Sequence, residues 1–230
     1  MTTISASPAD NTATTSSATK GRRTVDAATR AFHWLFALSF TGAYLTADGE
    51  RWRLAHVTLG YTMAALLVAR IVWGLIGPRR VRLSAILAKL KAGPDLNWAM
   101  AAAVLSLLVA VAVSTATGYL SYTELTGDWM QEIHELTSNG LLALVLAHIA
   151  LVLGLSVLRQ RNLVTPMVTG RIPGRGPDLI KHNFTWLAVL LLVTVFGYWT
   201  WQWQNAPSGI GADQGISASS TRHADDEDDD

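Results

Sequence analysis

The chain has 230 residues, half of them hydrophobic and only 15% charged, with a formal net charge of +1 and no cysteine. So little charge argues against an ordinary soluble domain. The missing cysteine excludes disulfides, thiolate-ligated haem, cysteine-bound iron–sulfur clusters and CxxCH haem attachment.

Residues 1–23 are Ser/Thr/Ala-rich and hold no apolar core, so a disordered tail is expected there. Arg22-Arg23 resembles a twin-arginine pair, but no cleavage site of small residues follows it. A cleaved signal is therefore not expected. Five apolar stretches come next, at about 31–47, 54–76, 98–120, 133–158 and 184–203. Each approaches the ~20 residues that cross a bilayer core, the first being the shortest. The expected fold is all-α: an integral membrane four-helix bundle with a fifth transmembrane helix. Between spans two and three, SAILAKLKAG has the pattern of a short amphipathic helix lying on the membrane surface. The loop at 159–182 contains RIPGRGP and reads as turn and coil. The tail at 204–230 is Gly/Ser-rich and ends DDEDDD, the composition of a disordered acidic terminus.

Charge sorts by loop. Fourteen of the 18 Lys and Arg residues lie before span one, between spans two and three, or between spans four and five. Arg51, Arg53 and Arg222 fall on the opposite side, and Arg70 lies within span two. The positive-inside rule then puts the N-terminus in the cytoplasm and the C-terminus outside, as in a multi-pass protein of a bacterial inner membrane with a periplasmic C-terminus. The nine tryptophans cluster at the predicted span ends, as an aromatic belt would.

Six histidines occur. His182 and His223 read as solvated surface residues. The other four fall in the spans, where ionisable groups are costly and usually functional. His134 and His148 are fourteen residues apart. On a helix that spacing returns to within about 40° of one face and separates the rings by roughly 21 Å along the axis. Given the alternating span directions, His33 and His148 are expected near the inner surface, and His56 and His134 near the outer one. Four ligands allow three pairings, and only His33 with His148 and His56 with His134 match in depth.

Two stacked bis-histidine sites are what two b-type haems need, because neutral imidazole fills both axial positions of iron and an apolar bundle buries the macrocycle. The stripe His134, Ser138, Leu141, Val145 and His148 would form one wall. Gly60, one turn beyond His56, would let a porphyrin approach the backbone. Arg30 and Arg70 are candidate partners for haem propionates, although Arg70 can equally snorkel to the interface. A lone intramembrane histidine would more simply bond a neighbouring helix; four at two matched depths ask for more. Glu124, Asp128, Glu132 and Glu135 are the carboxylates available near the outer site, and the plainer reading of them is a solvated loop.

The segments RAFHWLFALSFTGAYL and LAHVTLGYTMAALLVARIVWGLIGPR resemble the first two helices of the bacterial cytochrome b561 and Ni,Fe-hydrogenase-type b cytochromes. IHELTSNGLLALVLAHIALVLGLSVLRQRNLVTPMVTGR resembles that family's fourth helix and the segment after it. The HW, AHVTLG, RxxWGxxG and HE…H elements occur in order, and the resemblance covers about residues 24–172. It implies four helices, two haems b and electron transfer, with the ligands at His33, His56, His134 and His148.

The implied layout is a tail at 1–23, a di-haem domain at 24–172, an inner loop and fifth helix at 173–203, and an acidic tail at 204–230. The expected role is electron transfer between the quinone pool of a respiratory chain and a partner redox protein, for example a periplasmic c-type cytochrome drawn by the acidic tail. An alternative is a haem-containing membrane anchor subunit that relays electrons from a bound hydrogenase-like dehydrogenase. A third reading, a histidine-lined metal or proton transporter, would be colourless. Membrane lipid is an expected partner and nucleic acid is not.

Overall fold

The computed structural model describes residues 21–77, 82–174, 177–180 and 182–206. Seven α-helices account for nearly all of it: α1 Ala27–Leu45, α2 Arg53–Ile76, α3 Leu83–Lys91, α4 Leu96–Tyr122, α5 Trp129–Leu158, α6 Thr165–Thr169 and α7 Thr185–Gln204. A 3-10 turn at Glu50–Trp52 leads into α2. By length and apolar composition, the segments Glu50–Ile76, Leu96–Tyr122, Trp129–Leu158 and Thr185–Gln204 can cross a membrane. The chain is an all-α, multi-pass membrane bundle. Of the five expected spans, α1 alone falls short of that criterion. It has 19 residues, and Arg30, His33 and Ser39 dilute its apolar run. It gains its place by packing, with one flank on α2 and another on α7.

The helices begin and end for local reasons. Asp26 caps α1, accepting the Thr29 N–H at 2.7 Å and the Thr29 hydroxyl at 3.0 Å. Asp95 caps α4, accepting the Trp98 N–H at 2.6 Å. Each carboxylate satisfies a backbone donor that the helix itself leaves orphaned. The basic segment SAILAKLKAG does form the expected short helix, α3, which folds back against α2 and α4.

One end of the bundle is knitted together by the chain before α1. Residues 21–23, assigned by composition to the tail, are not coil here. Arg22–Arg23 (β1) pairs antiparallel with Arg171–Ile172 (β2). The Arg23 N–H donates to Asp178 Oδ1 at 2.7 Å, and the Ala27 N–H donates to the Asn183 carbonyl at 2.9 Å. Gly170 closes α6 at φ +76°, and a Cβ there would lie 2.9 Å from the Val25 carbonyl. A side chain at that position would be both strained and crowded. The loop expected as coil therefore holds a helical turn and a strand, because the N-terminal segment supplies it with partners.

The described cations Arg22, Arg23, Arg82, Lys89, Lys91, Arg159, Arg161 and Arg171 belong to this end, while Arg51 and Arg53 sit at the other. Lys20, Arg79, Arg80, Arg175, Lys181, Arg222, His223 and the acidic run at 225–230 lie outside the described residues.

Two apolar clusters form the core. Phe32, Leu35, Leu66 and Val195 join α1, α2 and α7. Met63, Leu67, Val111 and Leu141 join α2, α4 and α5, with Phe36 and Phe40 of α1 against them. Leu141, 2% exposed, lies midway between His134 and His148 in sequence. An apolar layer thus fills the centre of the bundle, and histidines flank it above and below.

Candidate functional site

The helices that carry the four histidines are arranged unequally. α5, with His134 and His148, runs closely along α4; among the described residues its backbone does not pack closely on α1 or α2, which carry His33 and His56. Side chains bridge that interval, among them the Tyr44 hydroxyl of α1, which donates to Asn139 Oδ1 of α5 at 3.0 Å. All four imidazoles are partly buried.

At the end distant from the basic loops, His56 and His134 face each other. Their ring centroids are 6.1 Å apart and the rings are nearly perpendicular, at 81°. Nδ1 of His56 lies 2.8 Å from the Ala43 carbonyl, and Nδ1 of His134 lies 3.0 Å from the Ser114 carbonyl. A carbonyl only accepts, so each Nδ1 carries the proton. That fixes the tautomer and leaves Nε2 with a free lone pair, the state of a metal-ligating imidazole. Two rings that each bind one metal at about 2 Å have centroids roughly 6 Å apart. The observed 6.1 Å separation matches that distance.

The surroundings of His134 come from α4. Thr117 Oγ1 lies 3.3 Å from Nδ1, Ser114 Oγ lies 3.0 Å from Ser138 Oγ, and the ring covers Gly118. Sequence reasoning passed over Ser114, Thr117 and Gly118. Their signal was present: small and polar residues three and four apart mark one face of an otherwise apolar helix.

At the basic end, His33 of α1 and His148 of α5 are both partly buried, and His33 packs edge-on against Trp34 with ring centroids 5.3 Å apart. Nδ1 of each histidine is buried and has no hydrogen-bond partner among the described residues. Buried polar nitrogens in that condition are uncommon and call for a missing partner. No group of three or more His, Asp or Glu side chains poised around a metal occurs among the described residues. Two imidazoles fill two coordination positions; a planar macrocycle supplies four more, so the donor sets at both levels suit haem.

The remaining candidates are distributed around these pairs. A Cβ on Gly60 would meet nothing within 4 Å, so space is open beside α2. Arg30 Nη1 donates to the Val168 carbonyl at 2.8 Å, and its guanidinium lies against Gly170. Arg70 reaches over Gly74 and is within electrostatic range of the buried Asp26. Glu124, Asp128, Glu132 and Glu135 are all exposed and do not join the histidines. His182 is exposed beside Phe184.

The family model of prokaryotic cytochrome b561 matches residues 24–170, which takes in α1 to α6 and leaves α7 outside. No curated protein and no solved structure matches the chain.

Proposed function

The chain belongs to the prokaryotic cytochrome b561 family and so works in membrane electron transfer with b-type haem, and from this premise we propose that it holds two haems b, one between His56 and His134 and one between His33 and His148. The observation that carries this reading is the 6.1 Å approach of the His56 and His134 rings with both Nδ1 atoms bonded to carbonyls. The haem supplies the redox chemistry when bound. The chain's own part is to orient the imidazoles, exclude water through the layer around Leu141, and set the spacing between the two levels.

In this reading residues 24–172 form the di-haem domain and α7 is an added span. The open space at Gly60 accepts the macrocycle edge, and Arg30 and Arg70 are the cations for propionates at the basic end. That end faces the cytoplasm of a bacterial inner membrane. Electrons pass between the quinone pool and a partner redox protein.

The test is a reduced-minus-oxidised visible spectrum with haem quantitation on the purified wild type, His134→Ala and His148→Ala. Loss of half the haem in each variant is expected. A folded wild type that stays haem-free when expressed with haem available would overturn the reading.

A further inference from the structure

The four helices around the histidine pairs form a ring with one weak seam. Gly42 of α1 meets Leu59 of α2 so closely that a Cβ there would lie 2.7 Å from Cδ1. Tyr61 of α2 packs its ring against Tyr119 and Tyr122 of α4, each centroid 6.4 Å away. α5 runs along α4, with His134 on Gly118 and Ser138 on Ser114. The fourth seam, between α5 and α1, lacks close backbone packing among the described residues, and α7 lies on α1 and α2 rather than on α5.

That seam is shut at two levels. At the basic end the segment after α5 crosses to α1: Trp34 Nε1 donates to the Met167 carbonyl at 3.0 Å, and Arg30 Nη1 to that of Val168 at 2.8 Å. At mid-depth Phe36 and Phe40 of α1 pack against the cluster that holds Leu141 of α5. At the outer level, among the described residues, one hydrogen bond crosses it, from the Tyr44 hydroxyl to Asn139 Oδ1. Tyr44 and Asn139 are both exposed, and Leu45 beyond them is 76% exposed. Tyr44 follows Ala43, whose carbonyl holds His56, and Asn139 lies five residues after His134. The weak part of the seam is thus beside the outer pair.

Resting on the two-site reading above, we propose that this outer part of the α1–α5 seam is a lateral port through which the macrocycle passes between the bilayer and the His56–His134 site, with the Tyr44–Asn139 bond as its latch. A flat apolar ring partitions into hydrocarbon, so it meets the bundle from the side. Entry through any other seam would part close-packed helices and forfeit their contacts. Opening this one breaks a side-chain hydrogen bond, a modest contact even in a membrane. The inner pair has no such opening, because the segment carrying Met167 and Val168 stands across its side of the seam.

Haem transfer from the purified holoprotein to excess apomyoglobin, followed by visible absorbance, tests the port. Removing the latch by Tyr44→Phe or Asn139→Ala should speed haem loss roughly fivefold, the order of one hydrogen bond. The gain should appear in the His148→Ala background, which keeps the outer site, and not in His134→Ala, which keeps the inner one. Tyr44→Cys and Asn139→Cys together, joined in the holoprotein by a short bis-maleimide, should arrest loss from the outer site. The same reagent across a closed seam, at Tyr61→Cys and Tyr119→Cys, should leave that loss unchanged. Loss unaltered by both latch variants, a gain confined to the His134→Ala background, or equal slowing by the two cross-links would each overturn the proposal. If Tyr44→Phe fails to hold haem, Asn139→Ala, at an exposed position of α5, decides alone. Haem quantitation before transfer separates the two readings: a wild type without two haems sinks the two-site reading first, whereas two haems indifferent to the latch sink the port alone.

Discussion

The imidazole of His134 rests on the bare backbone of Gly118: a Cβ built there would lie 2.8 Å from Cε1 and 3.1 Å from Nδ1 of the ring. The ring is also tethered, through Nδ1, to the Ser114 carbonyl one turn earlier on the same helix. Neither contact can give way alone.

Gly118→Ala is therefore expected to push His134 away from His56 without harming α4, since alanine is the better helix former. The prediction is loss of about half the bound haem with the helix content unchanged. Haem quantitation and circular dichroism on one preparation check it, and a variant with full haem content would show that the ring has room to move.

Among the described residues, α7 is anchored to α2 by a polar contact inside the bundle. Trp199 Nε1 donates to Thr62 Oγ1 at 2.9 Å, beside the cluster of Phe32, Leu35, Leu66 and Val195. Trp199→Phe keeps an aromatic ring and removes the donor. A loss of about 0.6–1 kcal/mol is expected, seen as a lower unfolding temperature in detergent with an unaltered haem spectrum.

At the basic end, the bond from the Trp98 N–H, and then the amide of Asn97, hold the Asp95 carboxyl below its usual range. A depressed folded value means that this cap's contribution is present above the ordinary carboxylate range and is lost as pH falls through the lowered one. The first turn of α4 should fray in acid. Amide exchange at Trp98, compared between wild type and Asp95→Ala, reads this directly: the two should differ at neutral pH and converge at low pH.

Orientation can be read with single cysteines, because the chain has none of its own. Asp48→Cys lies in the exposed turn after α1, and Lys91→Cys at the exposed end of α3. A membrane-impermeant thiol reagent applied to intact spheroplasts should label Asp48→Cys alone. Lys91→Cys should react only after the membrane is opened. The reverse pattern would turn the protein over.

The long apolar helices and the depth of each histidine along its own helix were legible in the sequence because each depends on local regularities. Apolar runs of bilayer length mark helices, and helical rise sets depth along the axis. That arithmetic put His56 at the level of His134, and their rings lie 6.1 Å apart. The order of motifs from RAFHW to the second histidine of span four carried the family.

What depended on rotation and translation between helices was not legible. No spacing rule says that His134 turns onto Gly118, that the Ala43 carbonyl meets His56, or that Trp199 finds Thr62 across 137 residues. Nor does composition foretell that Arg22–Arg23 would leave a polar tail to pair with Arg171–Ile172. The physical reason is the same in each case. A helix announces its own face and depth, because those follow from its own residues. The oxygen that will hold a given imidazole nitrogen comes from another helix, and only their packing brings the two together.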